Sequence, residues 1–296
     1  MILYILYRLG VFLAMSLPLR FSYGTAAALA DIVYVILKKD RNIVIGNMNI
    51  VMGLSANNAT SPKAARYVFR NFAKYLVDFF RFAKIDNEYI KKYVKIVGLE
   101  NLNEAISRGK GTIALSAHIG NWELGAAILS LAGYPINAVV LTHRNKRIND
   151  FFRRQRLVGN VVPIEIGMAL KECFRVLKSN GLLALLGDRD FTKNGIKTEF
   201  FGITTLIPRG PSVFSYRIGS TIVPTFMVRN EDDTFTLFLD RPIYPDVSLD
   251  EERAVKYLTE ECVRVIESYI RRYPSQWYAF KDVWSNNEIL RPDTIV

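Results

Sequence analysis

The chain has 296 residues, which is enough for one large hydrophobic core or two smaller ones. Half of its residues are hydrophobic, its net charge is +11 and its isoelectric point is about 9.6. A basic and apolar protein of this kind suits an anionic membrane surface or an anionic lipid. The sequence contains no helix-turn-helix, zinc-finger or aromatic RNA-binding motif, so no nucleic-acid partner is expected.

Cysteine and histidine are scarce in this sequence. Cys173 and Cys262 both lie in helix-like apolar patterns and are expected to be buried thiols rather than a disulfide. The only histidines are His118 and His143, and there is no HExxH motif. We therefore predict neither a catalytic metal nor a cofactor.

The N-terminal region is apolar and aromatic and reads as two segments, residues 1–17 and 21–37. Each is at or below the roughly 17–25 residues that span a bilayer. Lys38, Lys39 and Arg41 follow and would remain on the cytoplasmic side. Three arrangements fit: a spanning helix formed by the first segment, a shallow hairpin of interfacial helices, or a pair of buried core helices. Membrane contact is favoured, so residues 1–40 are predicted to be a membrane-anchoring region.

Residues 41–296 are predicted to form one α/β domain, with a helical lead-in over residues 41–92. A short amphipathic helix is expected over residues 41–53. Ser61 as N-cap and Pro62 at the first helical position predict a second helix that runs to about Ala83. Its many phenylalanines indicate either a core helix with a basic outer face or a helix that faces the membrane.

From residue 93 onwards, strand and helix patterns alternate. Strands are predicted at residues 94–97, 112–116, 136–141, 161–164, 182–186, 222–228 and 234–239. Helices are predicted at residues 101–108, 121–131, 146–157, 168–179, 209–218 and 249–273. This alternation predicts an α/β fold with a mostly parallel central sheet flanked by helices, preceded by an N-terminal membrane-associated helical region.

A histidine follows one of the buried strands. The stretch TIALSAHIGNWELG, residues 112–125, begins as a strand, breaks at His118 and continues as a helix. Open α/β sheets bind ligands at the carboxyl ends of their strands. An imidazole with an ordinary pKa of about 6.5 suits the removal of a proton from a hydroxyl at neutral pH. Glu123, in the first helical turn, either orients this imidazole or is a carboxylate favoured by the helix dipole.

A second polar cluster, GDRDF, follows the strand predicted at residues 182–186. One of the carboxylates of Asp188 and Asp190 would reach His118 if the two strands are neighbours, which gives a second candidate for orienting the base. Arg189, between Asp188 and Asp190, is suited to holding a phosphate or a carbonyl oxygen. The alternative for all three is a solvated turn.

Two further groups of residues are candidates for binding an anion. In IPRGPS, residues 207–212, Gly210 lies where a helix is predicted to begin. The free backbone N–H groups of that helix start would bind an anion or an oxyanion. The alternative is an ordinary turn. A cationic patch follows a third strand and consists of Arg144, Arg153, Arg154 and Arg156. It is either a solvated basic face or a site for lipid headgroups or for the phosphopantetheine of a carrier.

The motifs AHIGNWELG, GDRDF, TEFFG and PRGPS, behind an apolar N-terminus, resemble the lipid A biosynthesis (late) acyltransferases of the lauroyl/myristoyl type. The resemblance covers roughly residues 1–277. The related phosphatidylinositol mannoside acyltransferases share the HxGNW and DRD-type blocks, and in them the DRD-type carboxylate is an alternative partner of the histidine. The resemblance implies a glycerolipid acyltransferase-like fold.

The resemblance also implies an activity and a location. The enzyme would lie at the cytoplasmic face of a bacterial inner membrane and transfer a fatty acyl group from acyl carrier protein, or from acyl-CoA, to a hydroxyl of an anionic glycolipid such as a lipid A precursor. We predict catalytic roles for His118, Glu123 and Asp188, and substrate contacts for Asn121, Arg144, Arg156, Arg189, Arg209 and Gly210.

Other functions remain open at this point. One is acyl transfer to another (glyco)phospholipid, and another is a non-catalytic lipid-binding or scaffold protein on the same fold. A third is a lipid hydrolase in which His118 activates water. The sequence has no GxSxG elbow, no P-loop, and no GxGxxG between a strand and a helix, so other enzyme classes compete poorly.

Overall fold

The computed structural model describes residues 2–54, 62–191 and 194–284. It confirms the predicted α/β class, with a mostly parallel sheet of seven strands flanked by helices. The helices are α1 Ile2–Ser16, α2 Leu19–Ile36, α3 Lys38–Val51, α4 Pro62–Phe80, α5 Asn87–Tyr93, α6 Leu99–Ser107, α7 Trp122–Leu131, α8 Lys146–Val158, α9 Ala169–Lys178, α10 Gly210–Ile218 and α11 Glu251–Arg272. The strands are β1 Val94–Val97, β2 Thr112–Ser116, β3 Ile136–Val140, β4 Val161–Glu165, β5 Leu182–Leu186, β6 Ile196–Phe200, β7 Ile203–Ile207, β8 Thr221–Arg229 and β9 Phe235–Leu239.

The order of strands in the main sheet is β1-β9-β8-β2-β5-β3-β4. Every neighbouring pair is parallel except β8 and β9, which run antiparallel. β6 and β7 form a separate antiparallel hairpin. β2 and β8 are buried at every residue, as expected for strands covered by helices on both faces. The sheet therefore places β2 and β5 side by side at its centre.

The first two helices pack against the rest of the molecule. Tyr7 of α1 and Tyr23 of α2 are 8% and 3% exposed and belong to the same hydrophobic core as Leu124 and Met227. Asp31 of α2 forms ion pairs with arginines of α4, which join α2 to that helix. α1 and α2 are thus part of the core on one side.

Their other side is exposed and apolar. The large exposed apolar residues of this region are Ile5, Leu6, Leu9, Phe12, Leu13, Phe21, Leu29, Ile32, Val33, Val35, Ile36 and Leu37. α2 has 18 residues, a mean hydropathy of 1.2 and only 22% of its length buried, so by length and composition it is able to cross a membrane. The sequence favoured the first segment as the spanning helix, whereas it is α2 that meets the length requirement. α1 is a shorter apolar helix.

Most phenylalanines of α4 face inwards, whereas Tyr67 is exposed. Phe69, Phe79 and Phe80 are buried, so the core-helix interpretation of this segment is correct and the membrane-facing one is wrong. α4 begins at Pro62 as predicted, while the predicted N-cap, Ser61, lies outside the described residues. Cys173 and Cys262 are buried free thiols, as expected.

Candidate active site

His118 and Asp188 occupy equivalent positions at the ends of two paired strands. β2 and β5 are parallel neighbours, with Ser116 opposite Leu186. Each strand is followed by a two-residue step, to His118 in one case and to Asp188 in the other. The sheet register therefore brings together two side chains that lie 70 residues apart in the sequence.

The Asp188 carboxylate is held by four groups. Its Oδ1 lies 2.8 Å from Nδ1 of His118 and accepts a second hydrogen bond, at 3.2 Å, from the backbone N–H of the same residue. Its Oδ2 accepts a hydrogen bond from Nε1 of Trp277 at 2.9 Å and lies 3.4 Å from Nε of Arg189. Asp188 has 1% exposure. These contacts fix the orientation of both the carboxylate and the imidazole.

The ionisation states of the pair follow from burial and from charge. Burial lowers the pKa of His118 below its usual 6.5, and this outweighs the opposite effect of Asp188. The rings of Trp122 and Phe191 pack near the imidazole, with centroids 5.2 Å and 6.1 Å from its own. Burial by itself would raise the pKa of Asp188, but His118, Arg189 and the hydrogen bonds overcome it and lower that pKa. Asp188 is thus ionised at neutral pH, His118 is neutral, and the hydrogen sits on Nδ1.

The loop that carries His118 is fixed by its backbone. Gly120 has a φ of +62°, and a Cβ at this position would lie 1.9 Å from the carbonyl oxygen of Met227. The N–H of Gly120 donates to the carbonyl of Gln276 at 2.9 Å, and the N–H of Tyr278 donates to the carbonyl of His118 at 2.9 Å. Only glycine combines this conformation with so close an approach of two backbones.

Glu123 binds Arg156, and not His118 as considered from the sequence. Its carboxylate accepts hydrogen bonds from Arg156, at 2.6 Å from Nη2 and 3.0 Å from Nε. Phe79 and Phe152 lie against the guanidinium of Arg156. Burial lowers the pKa of Arg156, but the Glu123 charge outweighs it and raises that pKa, so the arginine stays charged. In the described part of the chain, it is Asp188 and not Glu123 that is hydrogen-bonded to His118.

A largely apolar cavity of about 420 Å³ opens beside His118. This size lies within the roughly 300–1,000 Å³ typical of ligand pockets. Its polar lining includes His118, Glu123, Arg156, Arg189, Arg209 and Gly210. Much of the remaining wall is hydrocarbon from β3, β5 and α7, and Tyr7 of α1 contributes one part of it. The cavity is therefore suited to a ligand with a long apolar portion and a polar reacting end.

The other predicted substrate contacts differ in their positions. Asn121 is buried and its side chain caps α7 and binds Asp78, so both ends of its amide are used by the protein itself. Arg144 is exposed and is not among the residues that line the cavity. Arg209 is exposed beside Gly210, which begins α10 as predicted. Arg189 is buried and donates to the carbonyl of Tyr278 at 2.6 Å.

Three residues that follow α11 complete the site and were missed in the sequence: Gln276, Trp277 and Tyr278. Gln276 and Tyr278 anchor the His118 loop, and Trp277 holds Asp188. The only signal for them was the apolar, aromatic stretch QWYAF beyond a long helix, which reads equally well as core. In the described residues, no group of three His, Cys, Asp or Glu side chains is placed to hold a metal ion.

Comparison with known proteins assigns the family. A family model described as bacterial lipid A biosynthesis acyltransferase matches residues 1–286. The chain belongs to this family. The resemblance drawn from the motifs is thereby confirmed, and the protein is an acyltransferase by family.

Similar proteins include two named phosphatidylinositol mannoside acyltransferase. The one from Mycolicibacterium smegmatis is 23% identical over 220 residues, which are 72% of this chain and 70% of that protein. The one from Mycobacterium tuberculosis is 26% identical over 163 residues, 52% of this chain and 51% of that protein. The lipid A biosynthesis palmitoleoyltransferase of Escherichia coli is 26% identical over 191 residues, 64% of this chain and 60% of that protein. The chain thus matches between about half and 70% of the length of these relatives.

Proposed function

We propose that this enzyme transfers a fatty acyl group from a thioester, carried by acyl carrier protein or by CoA, to a hydroxyl of an anionic glycolipid. The observation that carries the proposal is the buried pair of His118 and Asp188 at the polar end of an apolar cavity. A thioester has the same combination of a reactive polar carbonyl and a long hydrocarbon. The names of the relatives, which act on lipid A and on phosphatidylinositol mannosides, agree with a glycolipid acceptor.

His118 is the general base in this proposal. With its hydrogen on Nδ1 and bound to Asp188, the imidazole keeps a lone pair on Nε2. Nε2 removes the proton of the acceptor hydroxyl as the hydroxyl oxygen attacks the thioester carbonyl. The tetrahedral intermediate then collapses, the carbon–sulfur bond breaks, and the imidazolium returns its proton to the thiolate. Asp188 stabilises the imidazolium between the two proton transfers.

The negative charge on the tetrahedral intermediate requires hydrogen-bond donors. Gly210, the first residue of α10, lies in the cavity wall, and the first backbone N–H groups of a helix are free to bind an oxyanion. Arg189 also lines the cavity, although one of its N–H groups is already bound to the carbonyl of Tyr278. We assign the oxyanion to these two regions. Arg209, exposed beside Gly210, is the cation nearest to the helix start in sequence and is assigned to an anionic part of a substrate.

The substrates would be reached from a bilayer. The apolar outer faces of α1 and α2, together with the net charge of +11, suit binding to an anionic membrane. By the resemblance, this membrane is the bacterial inner membrane and the domain lies at its cytoplasmic face. Tyr7 lines the cavity from one side of α1 while Leu6 and Leu9 are exposed on the other, so one helix separates the cavity from the proposed bilayer.

Replacement of His118 tests the assignment of the base. General base catalysis contributes on the order of 10²–10⁴-fold. We therefore expect purified His118→Ala to lose nearly all acyl transfer in an assay with acyl-carrier-protein and acyl-CoA donors, while circular dichroism shows that it remains folded. Retention of about a tenth of wild-type turnover would contradict the assignment.

The same assay separates acyl transfer from the two other classes of function. Mass spectrometry of the products would detect an acylated glycolipid if the proposal is correct. Release of free fatty acid without acylated lipid would identify a hydrolase. Lipid binding without consumption of thioester would identify a non-catalytic protein.

A further inference from the structure

A second buried carboxylate lies outside the His118 and Asp188 pair. Asp78 of α4 is 3% exposed. Its Oδ2 accepts hydrogen bonds from Nδ2 of Asn121, at 2.8 Å, and from Nη2 of Arg229. Its Oδ1 accepts a hydrogen bond from the hydroxyl of Tyr23. One carboxylate thus connects α2, α4, the loop after β2 and the end of β8.

Asn121, which binds Asp78, lies at the end of the loop that carries His118. Asn121 is three residues beyond His118, and its Oδ1 caps α7 by accepting from the N–H of Leu124 at 3.0 Å. Its own backbone N–H donates to the carbonyl of Met227 at 2.7 Å. Asp78 therefore fixes the amide group at which the His118 loop ends and α7 begins.

Arg229, which also binds Asp78, is connected to Asp188 through Gln276 and Trp277. Arg229 and Gln276 exchange two hydrogen bonds: the backbone N–H of Arg229 donates to Oε1, and Nε2 donates to the carbonyl of Arg229, each at 2.8 Å. The carbonyl of Gln276 accepts from Gly120 in the His118 loop. The next residue, Trp277, donates to Asp188. Both members of the pair are thus connected to Asp78 through these hydrogen bonds and the short lengths of chain between them.

Burial of an ion pair is a poor means of gaining stability, because desolvation offsets most of the attraction. A fully bonded polar network does fix one geometry. We propose that Asp78 is a positioning residue for the acyltransferase: it holds the His118 loop through Asn121, and the Trp277 contact to Asp188 through Arg229 and Gln276. This inference rests on the proposed role of His118.

Asp78→Ala, Asp78→Asn and a matched control test the inference. A misplacement of about 1 Å costs on the order of 100-fold in rate, so we expect kcat of Asp78→Ala to fall by about that factor with KM little changed. In Asp78→Asn the amide oxygen still accepts from Asn121 and Arg229 and its NH₂ donates to Tyr23, so most of kcat returns. Asp233→Asn is the control, because Asp233 pairs with Arg229 at 3.3 Å and has no bond to Asn121. It is expected to keep wild-type kcat.

A spectroscopic measurement follows the position of His118 without an assay of activity. The chain has only two histidines, so ¹⁵N-histidine-labelled enzyme gives two imidazoles, and His143→Gln assigns them. The proton on Nδ1 of His118, bound to Asp188, is expected to give a sharp, downfield signal in the wild type and in Asp233→Asn. In Asp78→Ala that signal broadens or disappears.

Each outcome has a definite meaning. A folded Asp78→Ala with the native His118 signal overturns the inference, whatever its kcat. Loss of the signal with wild-type kcat leaves the positioning role standing and contradicts the proposed role of His118 as base. If Asp78→Ala does not fold, the double variant Asp78→Leu with Arg229→Met replaces the ion pair by apolar packing, which often restores stability. The native His118 signal in that folded variant, which lacks the Asp78 carboxylate, would also overturn the inference.

Discussion

At the scale of single residues, the site separates two carboxylates that the sequence left as alternatives. Asp188 binds the imidazole of His118, and Glu123 binds the guanidinium of Arg156. The catalytic role of Glu123, which the family resemblance implies, stays a prediction. Glu123 and Arg156 both line the cavity, so Glu123 would act by holding Arg156 in place there. The pair of charges cancels within the cavity, which favours an apolar ligand beside it.

The lowered pKa of His118 predicts the pH dependence of the reaction. A base must be unprotonated, so kcat/KM should fall as the pH drops through the pKa of His118, and burial places that limb below the usual 6.5. Asp188 raises the pKa of His118, so Asp188→Asn should move this acid limb of the pH profile to still lower pH. Asp188→Asn should also reduce kcat on the order of 10²–10⁴-fold, because an amide no longer favours the tautomer of His118 with its hydrogen on Nδ1. Initial rates between pH 4.5 and 8 measure both effects, and an acid limb above 6.5 would contradict this prediction.

At the scale of elements, the sequence patterns predicted every strand of the main sheet to within one residue at each end. β1, β2 and β5 were predicted with their observed bounds. For β2 and β5 the signal was the continuous apolar run between turns that is typical of buried parallel strands. The hairpin of β6 and β7 was missed. Its strands are only partly buried, and the residues TEFFG, which include the end of β6, were interpreted as a family motif rather than as a strand. Helix α5 was also missed, although the Asp86 carboxylate caps it by accepting a hydrogen bond from the backbone N–H of Tyr89.

The neighbours of a strand could not be predicted from local pattern. That β5 lies between β2 and β3 depends on contacts far apart in the chain. The sequence could therefore predict only that Asp188 or Asp190 reaches His118 if the two strands are neighbours. Which carboxylate does so depends on the fold. The role of Trp277 lay beyond that limit, because nothing local distinguishes a tryptophan that binds a carboxylate from one that fills a core.

The His118 loop gives a prediction at this scale. In Gly120→Ala the new Cβ would collide with the carbonyl of Met227 at a positive φ, so the loop must move. We expect a loss of most acyl transfer and a lower midpoint of thermal unfolding. Gly24→Ala is the matched control, because no atom lies within 4 Å of its new Cβ and helix α2 gains up to about 1 kcal/mol from alanine. Similar behaviour of the two variants would contradict the proposed constraint.

At the scale of the whole molecule, the N-terminal helices have two different faces. One face carries Tyr7 and Tyr23 into the core, and the other exposes a row of large apolar side chains. Their poor burial argues against the alternative in which both helices are core elements, while a spanning and an interfacial arrangement both remain compatible with the exposed face. Removal of residues 1–37 would also remove Tyr7 from the cavity wall, so substitutions on the outer face test membrane binding more selectively.

Membrane binding should depend on the exposed aromatic residues of this face. Phe12 and Phe21 are 65% and 71% exposed, so the double substitution Phe12→Glu with Phe21→Glu leaves the core intact. We expect a reduced fraction of the protein to float with vesicles that contain anionic lipid, because a bilayer disfavours the new charges. Tyr257→Glu, at 47% exposure on α11, is the control and should float like the wild type. Equal flotation of all three would place the membrane-binding surface elsewhere.

The equal two-residue steps after β2 and β5 limit how this enzyme can change in evolution. The strand pairing sets the positions of Ser116 and Leu186, and each added residue would displace His118 or Asp188 by about 3.3 Å and turn its side chain to the opposite face. Insertions in these two short steps should therefore be absent from active members of the family. The long segment between the steps contributes two other strands and three helices, and its loops are free to vary in length. Selection should thus conserve the length of the two steps, from Ser116 to His118 and from Leu186 to Asp188, while the loops around them diverge.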